Sequence, residues 1–312
     1  MTKKSCDATK KTSIGGQALI EGVMMRGPHI TAMSVRKADG TIATETWETG
    51  GHKWYAKLPI VRGIFNLFSM LTLGYKCLMK SAEVSGFSEG EEPSKFDAWV
   101  DKHLGDHAVW IFNVLVTVLS MVLTIGLFMI IPSALVKLIG SAFSASNFLL
   151  SLVEGIIKIG IFVLYLFLVT RMSDIQRVFQ YHGAEHKTIA CYEAGAELTP
   201  ENAKKFTRFH PRCGTSFMLI VLVISILVFS VLTWDSIWMR VALKVVLLPL
   251  VVGISYEIIR FAGRHDNAFT RAISAPGLWL QNLTTFEPDE SQLEVAIAAM
   301  TPCIPEDGTD NF

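Results

Sequence analysis

The chain has 312 residues, 51% of them hydrophobic and only 18% charged, with a mean hydropathy of +0.40. Water-soluble domains carry about 25% charge, so this composition excludes an ordinary soluble protein. Twenty-eight basic and 28 acidic side chains cancel, which excludes the broad basic field of a dedicated nucleic-acid binder, while the abundance of apolar residues excludes disorder over most of the length.

In chain order, the first sixteen residues contain no apolar h-region, so no cleavable signal is expected. The five cysteines, Cys6, Cys77, Cys191, Cys213 and Cys303, are odd in number and scattered, as reduced thiols facing a cytosol-like compartment would be. Residues 31–37 and 41–47 flank Ala38-Asp39-Gly40, and a D-G turn between alternating runs predicts a β-hairpin within the segment 1–57. Before it, Gly15-Gly16 and Gly27-Pro28 bracket an apolar stretch, residues 17–26. From Leu58 to about Ser85, phenylalanines and leucines are interrupted by Arg62, Gly63, Gly74 and Lys76. That pattern suits a helix lying at the membrane interface, with a re-entrant hairpin as the alternative. Glu89–Pro93 reads as an exposed acidic linker closing the segment 58–107.

Four runs then reach membrane length: about Val109–Ile131, Phe148–Thr170, Phe217–Trp234 and Val241–Ile259. About 20 apolar residues rising 1.5 Å each cross a hydrocarbon core of about 30 Å. Pro132 is expected to kink or end the first run. Glu154 and Lys158 in the second are i,i+4 neighbours able to pair. The expected fold is a mainly α, polytopic membrane protein with transmembrane hairpins at 108–170 and 217–260. Residues 171–216 carry seven basic side chains, Arg171, Arg177, Lys187, Lys204, Lys205, Arg208 and Arg212, whereas the link around Gly140–Asn147 has none. The positive-inside rule places 171–216, the N-terminus and the C-terminal segment 261–312 in the cytoplasm. Acidic residues at 289–290 ahead of an apolar run predict a short helix at 292–300, followed by a frayed end.

The chemistry concentrates in the loop 171–216. His182 and His186 stand at helical i,i+4 spacing, which presents both imidazoles to one point, a bidentate start for zinc. Glu185 between them is placed as a general base or as an orienting partner, in the H-x-x-E-H order. His210 and Cys213, at H-x-x-C spacing, are further zinc ligands, with Glu193 and Glu257 as reserves. Arg212 or Arg26 is a candidate to stabilise a developing anion, and Glu21 and Arg26 are candidates to line the same site. The bland alternative is a set of hydrogen-bonded interfacial side chains without metal. Thr215 and Ser216 are expected to cap the third run.

Several segments together resemble the YqhQ-like family of uncharacterised bacterial membrane proteins: GGQALIEGVMMRGP at 15–28, YHGAEHKTIACYEAG at 181–195, HPRCGTSF at 210–217, SYEIIR at 255–260 and the stretch 276–300. Members are often labelled predicted metal-dependent enzymes. The resemblance implies a bacterial cytoplasmic membrane and points to Glu21, Arg26, His182, Glu185, His186, His210, Arg212, Cys213 and Glu257.

Two functions are therefore expected in competition. One is a zinc-dependent hydrolase meeting a lipid-linked or membrane-peptide substrate at the lipid bilayer. The other is a non-catalytic scaffold or accessory factor for membrane-protein insertion or assembly. A transporter ranks third, and no specific nucleic-acid partner is expected.

Overall fold

A computed structural model describes residues 10–51, 54, 58–87, 108–142, 146–232, 236–265 and 267–310. The linker expected at Glu89–Pro93 lies outside them, as does Cys6. The chain divides into two compact units: residues 1–87, 166–220 and 252–312 form one, and residues 88–165 and 221–251 the other.

The first unit is built on a sheet. The expected hairpin is present as β3 (Ile30–Arg36) and β4 (Ile42–Glu48), and Gly40 in its turn takes a left-handed φ of 84°. The sheet also extends to the preceding apolar stretch, where β1 (Gly15–Leu19) and β2 (Gly22–Arg26) form a second hairpin. All four strands are antiparallel in the order β1-β2-β3-β4. Both faces are covered. Val23, Met25 and Ala32 point into a core with Tyr181, Ala184, Leu293 and Ala296. Leu19, Met24, Met33 and Val35 pack with Cys77 and Leu73 of helix α1 (Val61–Val84).

Helix α1 is unbroken across the segment read as interfacial or re-entrant. Its inner face packs on the sheet, while Phe65, Phe68, Leu71, Tyr75 and Met79 stay exposed at helical spacing. At its start Glu257 accepts the Ile60 N–H at 3.2 Å and pairs with Arg62, which pins α1 to the chain near 257.

Among the described residues, three helices are long and apolar enough to cross a membrane: Val114–Ile139, Asn147–Val169 and Ile237–Arg264. The first comprises α2 (Ala108–Ile125), a π-turn at Gly126–Ile130 and α3 (Ile131–Ala142). Pro132 does not end the helix. The wide turn just before it relieves the clash of the proline ring with the preceding carbonyls. α4 is Asn147–Val169 and α7 is Ile237–Arg264. The third expected run folds as α6 (Gly214–Phe229), whose 16 residues extend about 24 Å, short of the hydrocarbon thickness.

Between α4 and α6 lie α5 (Ser173–Glu193) and a single turn at Pro200–Ala203; α8 (Ala268–Thr284) and α9 (Glu290–Met300) complete the chain. Asp289 caps α9 in a reciprocal box with Gln292, and α9 packs on α5 and the sheet. The end expected to fray is anchored. Asp310 is buried and accepts from Thr12 at 2.8 Å, from Tyr192 at 2.9 Å and from Lys10.

One glycine contact fixes how α5 meets the chain leading into α9. A Cβ added at Gly183 would strike the backbone carbonyl of Phe286. Gly183→Ala is therefore expected to lower stability by about 1–3 kcal/mol despite alanine's better helix propensity. A melting temperature equal to the parent's would show that the carbonyl can withdraw.

Candidate metal centre

Three side chains converge. His182 and His186 lie on one face of α5 with ring centroids 4.5 Å apart. Cys213 comes from the N-cap of α6, where its carbonyl accepts the N–H groups of Ser216 and Phe217. One ligand atom from each of the three lies within 4.8 Å of the others. Nδ1 of His182 is 2.8 Å from the Thr284 carbonyl, and Nδ1 of His186 is 2.6 Å from the Arg208 carbonyl. A carbonyl can only accept, so both rings carry their proton on Nδ1. Each Nε2 is thereby left as the atom available for ligation. His182 Nε2 is 3.2 Å from the Cys213 sulfur.

The electrostatics suit a ligand set. Burial alone would raise the Cys213 thiol, but the imidazoles of His182 and His186 outweigh it and hold the thiol well below its usual range. The positive end of α6 acts in the same direction. Burial would lower His182, but the Cys213 sulfur facing it pushes its pKa up to about 9. Both shifts favour a thiolate–imidazolium pair in the metal-free centre.

His210 sits beside this trio, with its ring 5.5 Å from that of His186. It does not join the converging atoms. Its Nε2 lies 3.3 Å from Arg212 and 4.0 Å from a Glu193 oxygen, and burial with the neighbouring Arg212 holds its pKa well below the ordinary histidine value. Its peptide is gripped by Gln281, which accepts the His210 N–H at 2.8 Å and donates to its carbonyl at 2.7 Å. Arg212 pairs with Glu193 and donates to the Thr12 carbonyl. Glu193 also accepts the Thr12 N–H at 2.8 Å, so this group ties the N-terminal segment to the end of α5.

Glu185 is buried on the side of α5 that meets β1, where the Gly16 N–H contacts its carboxylate. Burial raises its pKa and the adjacent imidazoles of His186 and His182 oppose the rise. Glu21, at a left-handed φ of 52° in the β1–β2 turn, pairs with Arg177 and accepts from the Tyr181 hydroxyl at 3.1 Å. Arg26 is half-buried and contacts the Met70 sulfur at 3.4 Å. Glu257 serves the start of α1. Thr215 and Ser216 are not caps. Cys213 takes that position, and Ser216 instead receives the Gln281 amide at 3.1 Å. Sequence reasoning did not single out Gln281 or the carbonyls of Thr284 and Arg208; a carbonyl has no residue-type signature to find.

What this arrangement can do is hold a borderline-soft cation with two imidazoles and a thiolate. Among the described residues no fourth histidine, cysteine or carboxylate joins the set, which leaves a coordination position for an outside ligand.

Comparison with known proteins bears on kinship. The family described as Protein of unknown function (DUF1385) matches residues 58–306, a span that includes all three converging side chains. The Uncharacterized protein YqhQ of Bacillus subtilis (strain 168) is 33% identical over 287 residues, covering 91% of this chain and 89% of that one. No solved structure matches. Matched over most of its length by both comparisons, the chain belongs to the YqhQ-like, DUF1385 family.

Proposed function

We propose that this protein is a zinc-dependent hydrolase of the bacterial cytoplasmic membrane, with its metal centre on the cytoplasmic face. The observation that carries the proposal is the convergence of His182, His186 and Cys213, which no fourth histidine, cysteine or carboxylate joins among the described residues. Three protein ligands plus an exchangeable one is the pattern of catalytic rather than structural zinc. Zinc held there would activate water and polarise a carbonyl or phosphoryl oxygen. Around it, the Thr284 and Arg208 carbonyls orient the imidazoles, and Glu185, buried beside both, serves as the proton acceptor. Burial shifts its pKa upward, the direction that task requires. Arg212 and Arg26, engaged in other contacts, are weaker candidates for stabilising an anion.

Four crossings are part of the proposal, with α6 as a short fourth span. The N-terminal sheet, α5 and α9 share one hydrophobic core, so a bilayer cannot separate them. The chain must then cross an even number of times between the sheet and α5, and again between α5 and α9. With three spans of full length, α6 supplies the missing crossing. The basic loop 171–216 favours the cytoplasm as the shared side.

The test is metal analysis of the purified protein. Stoichiometric zinc in the parent, lost in His182→Ala and His186→Ala, is the expected result; substoichiometric metal in the parent would overturn it. Glu185→Gln should retain zinc while cellular function is lost, and unchanged function would remove Glu185 as the base. A scaffold or insertion factor remains the second reading, favoured by the exposed apolar face of α1. It predicts function independent of both zinc and Glu185.

A further inference from the structure

Helix α8 has two unlike faces. The inner one supports the metal centre. Gln281 grips the His210 peptide, and the Thr284 carbonyl orients the His182 ring at 2.8 Å. Gly277 packs so closely on the start of α6 that an added Cβ would lie 2.5 Å from Ser216 Oγ. The outer face carries Ala268, Phe269, Ala272, Ala275, Pro276 and Trp279, all exposed. At about 100° per residue these positions form one continuous stripe. Phe269 is 66% and Trp279 58% exposed. Among the 17 residues of α8 the sole charged one is Arg271, and none is acidic.

A helix face turned to water carries charged side chains, whereas this one presents two large aromatic rings. The place of α8 in the fold says what covers it. Ser216, against which Gly277 packs, stands just ahead of the apolar run that begins at Phe217. At its other end α8 starts at Ala268, four residues past Arg264, the last residue of α7. That gap spans at most about 14 Å, and α7 is long and apolar enough to cross a membrane. α8 is thus tied at two points to helices where their apolar runs end, the depth of the lipid headgroups. Its side chains suit that depth. Tryptophan is enriched at headgroup level, and the basic Arg264 and Arg271 match anionic lipids. Pro276 cannot donate to the Ala272 carbonyl, which water in the headgroup layer can satisfy and hydrocarbon cannot. We propose that the outer face of α8 rests in the headgroup layer of the bilayer, with Phe269 and Trp279 reaching the acyl chains. The helix that orients His182 would then also hold the metal centre at the membrane surface. The inference rests on α6 entering the membrane, as in the four-crossing reading, and not on zinc being bound.

The test uses the full chain in nanodiscs of phosphatidylcholine and phosphatidylglycerol. In a Cys6→Ser background, where Cys77, Cys191, Cys213 and Cys303 are buried, a nitroxide is attached through Trp279→Cys, Phe269→Cys or Val223→Cys. The background protein is treated in parallel, so that any signal from the native thiols is subtracted. Collisions of the label with oxygen, which concentrates in lipid, and with a water-soluble nickel chelate give its depth. Val223, exposed on α6, serves as the reference for the hydrocarbon core. The expected result places the labels at 279 and 269 within about 10 Å of the phosphate plane on its acyl side, and the label at 223 deeper. Three results overturn the proposal. If either α8 label collides mainly with the nickel chelate while the one at 223 lies in lipid, the outer face meets water and the four-crossing reading stands. If the α8 labels are shielded from both reagents, protein covers the face. If the label at 223 is itself in water, α6 is not a span and both readings fall. Should Trp279→Cys not fold, Phe269→Cys decides on the same terms.

Discussion

Zinc affinity is expected to climb about tenfold per pH unit from 7 to about 9, where His182 titrates, and to level off beyond. Each proton displaced by the metal contributes one such factor. In the metal-free protein the two imidazoles outweigh the burial of Cys213 and favour its thiolate. His182 is the group still holding a proton, kept there by the sulfur 3.2 Å away. Metal entry therefore releases one proton, and it comes from His182. An isolated cysteine and histidine would behave otherwise, since the histidine would be neutral above about 7 and the thiol would titrate near 8.5. Cys213→Ser separates the two cases. Without the thiolate, burial governs His182 and keeps it neutral, so the pH dependence above 7 should vanish while affinity falls roughly a hundredfold or more with the lost ligand. Competition against a chromophoric chelator at several pH values measures both. A parent protein whose zinc affinity is flat from 7 to 9 would contradict the thiolate–imidazolium pair.

The same pair shapes metal-free stability. His182 has a raised pKa in the folded state, so its contribution is present below about 6.5 and would be lost as pH rises through about 9. Cys213 has a depressed one, so its contribution is present above its unfolded value of 9.0 and is lost as pH falls through its lower folded value. Wherever Cys213 is ionised in the folded chain, from about 6.5 up to about 9, folded and unfolded chains each bind one proton, on the imidazolium and on the thiol respectively. Stability from this pair is therefore level in that window and declines below it.

How much of this was legible in the sequence depends on what each signal encodes. The i,i+4 histidines and Cys213 could be read because ligand chemistry belongs to the side chain and helical spacing is regular. His210 could not be placed, because the Gln281 that grips its peptide stands some 70 residues away in sequence and leaves no local pattern. The β3–β4 hairpin showed through Asp39-Gly40, whereas β1 and β2 did not. With both faces of the sheet covered, Val23-Met24-Met25 is buried throughout and carries no alternation. Arg212, Glu21 and Glu257 drew attention as charges among glycines and near spans. The folded chain pairs each with a distant partner, Glu193, Arg177 or Arg62. The Glu154–Lys158 pair was visible as an i,i+4 spacing, but Arg240 and Lys244, 86 and 90 residues from Glu154, leave no local pattern.

Glu154→Leu is expected to be the most damaging single substitution in the long helices, costing about 3–5 kcal/mol or preventing accumulation in the membrane. Removing one partner of a buried ionic group leaves the others uncompensated, which costs far more than the pair contributes. Here the orphaned groups are Lys244, Arg240 and Lys158, all drawn to one carboxylate. Lys244→Met on its own should be mild, because Arg240 and Lys158 still face the carboxylate. Combined with Glu154→Leu it should recover part of the loss, giving a favourable coupling on the order of 1–3 kcal/mol. Thermal unfolding of the three variants in detergent measures the cycle. Additive effects, or a Glu154→Leu protein that melts with the parent, would mean that Glu154 is not what holds the three cations in place, and the charge balance of that unit would have to come from elsewhere.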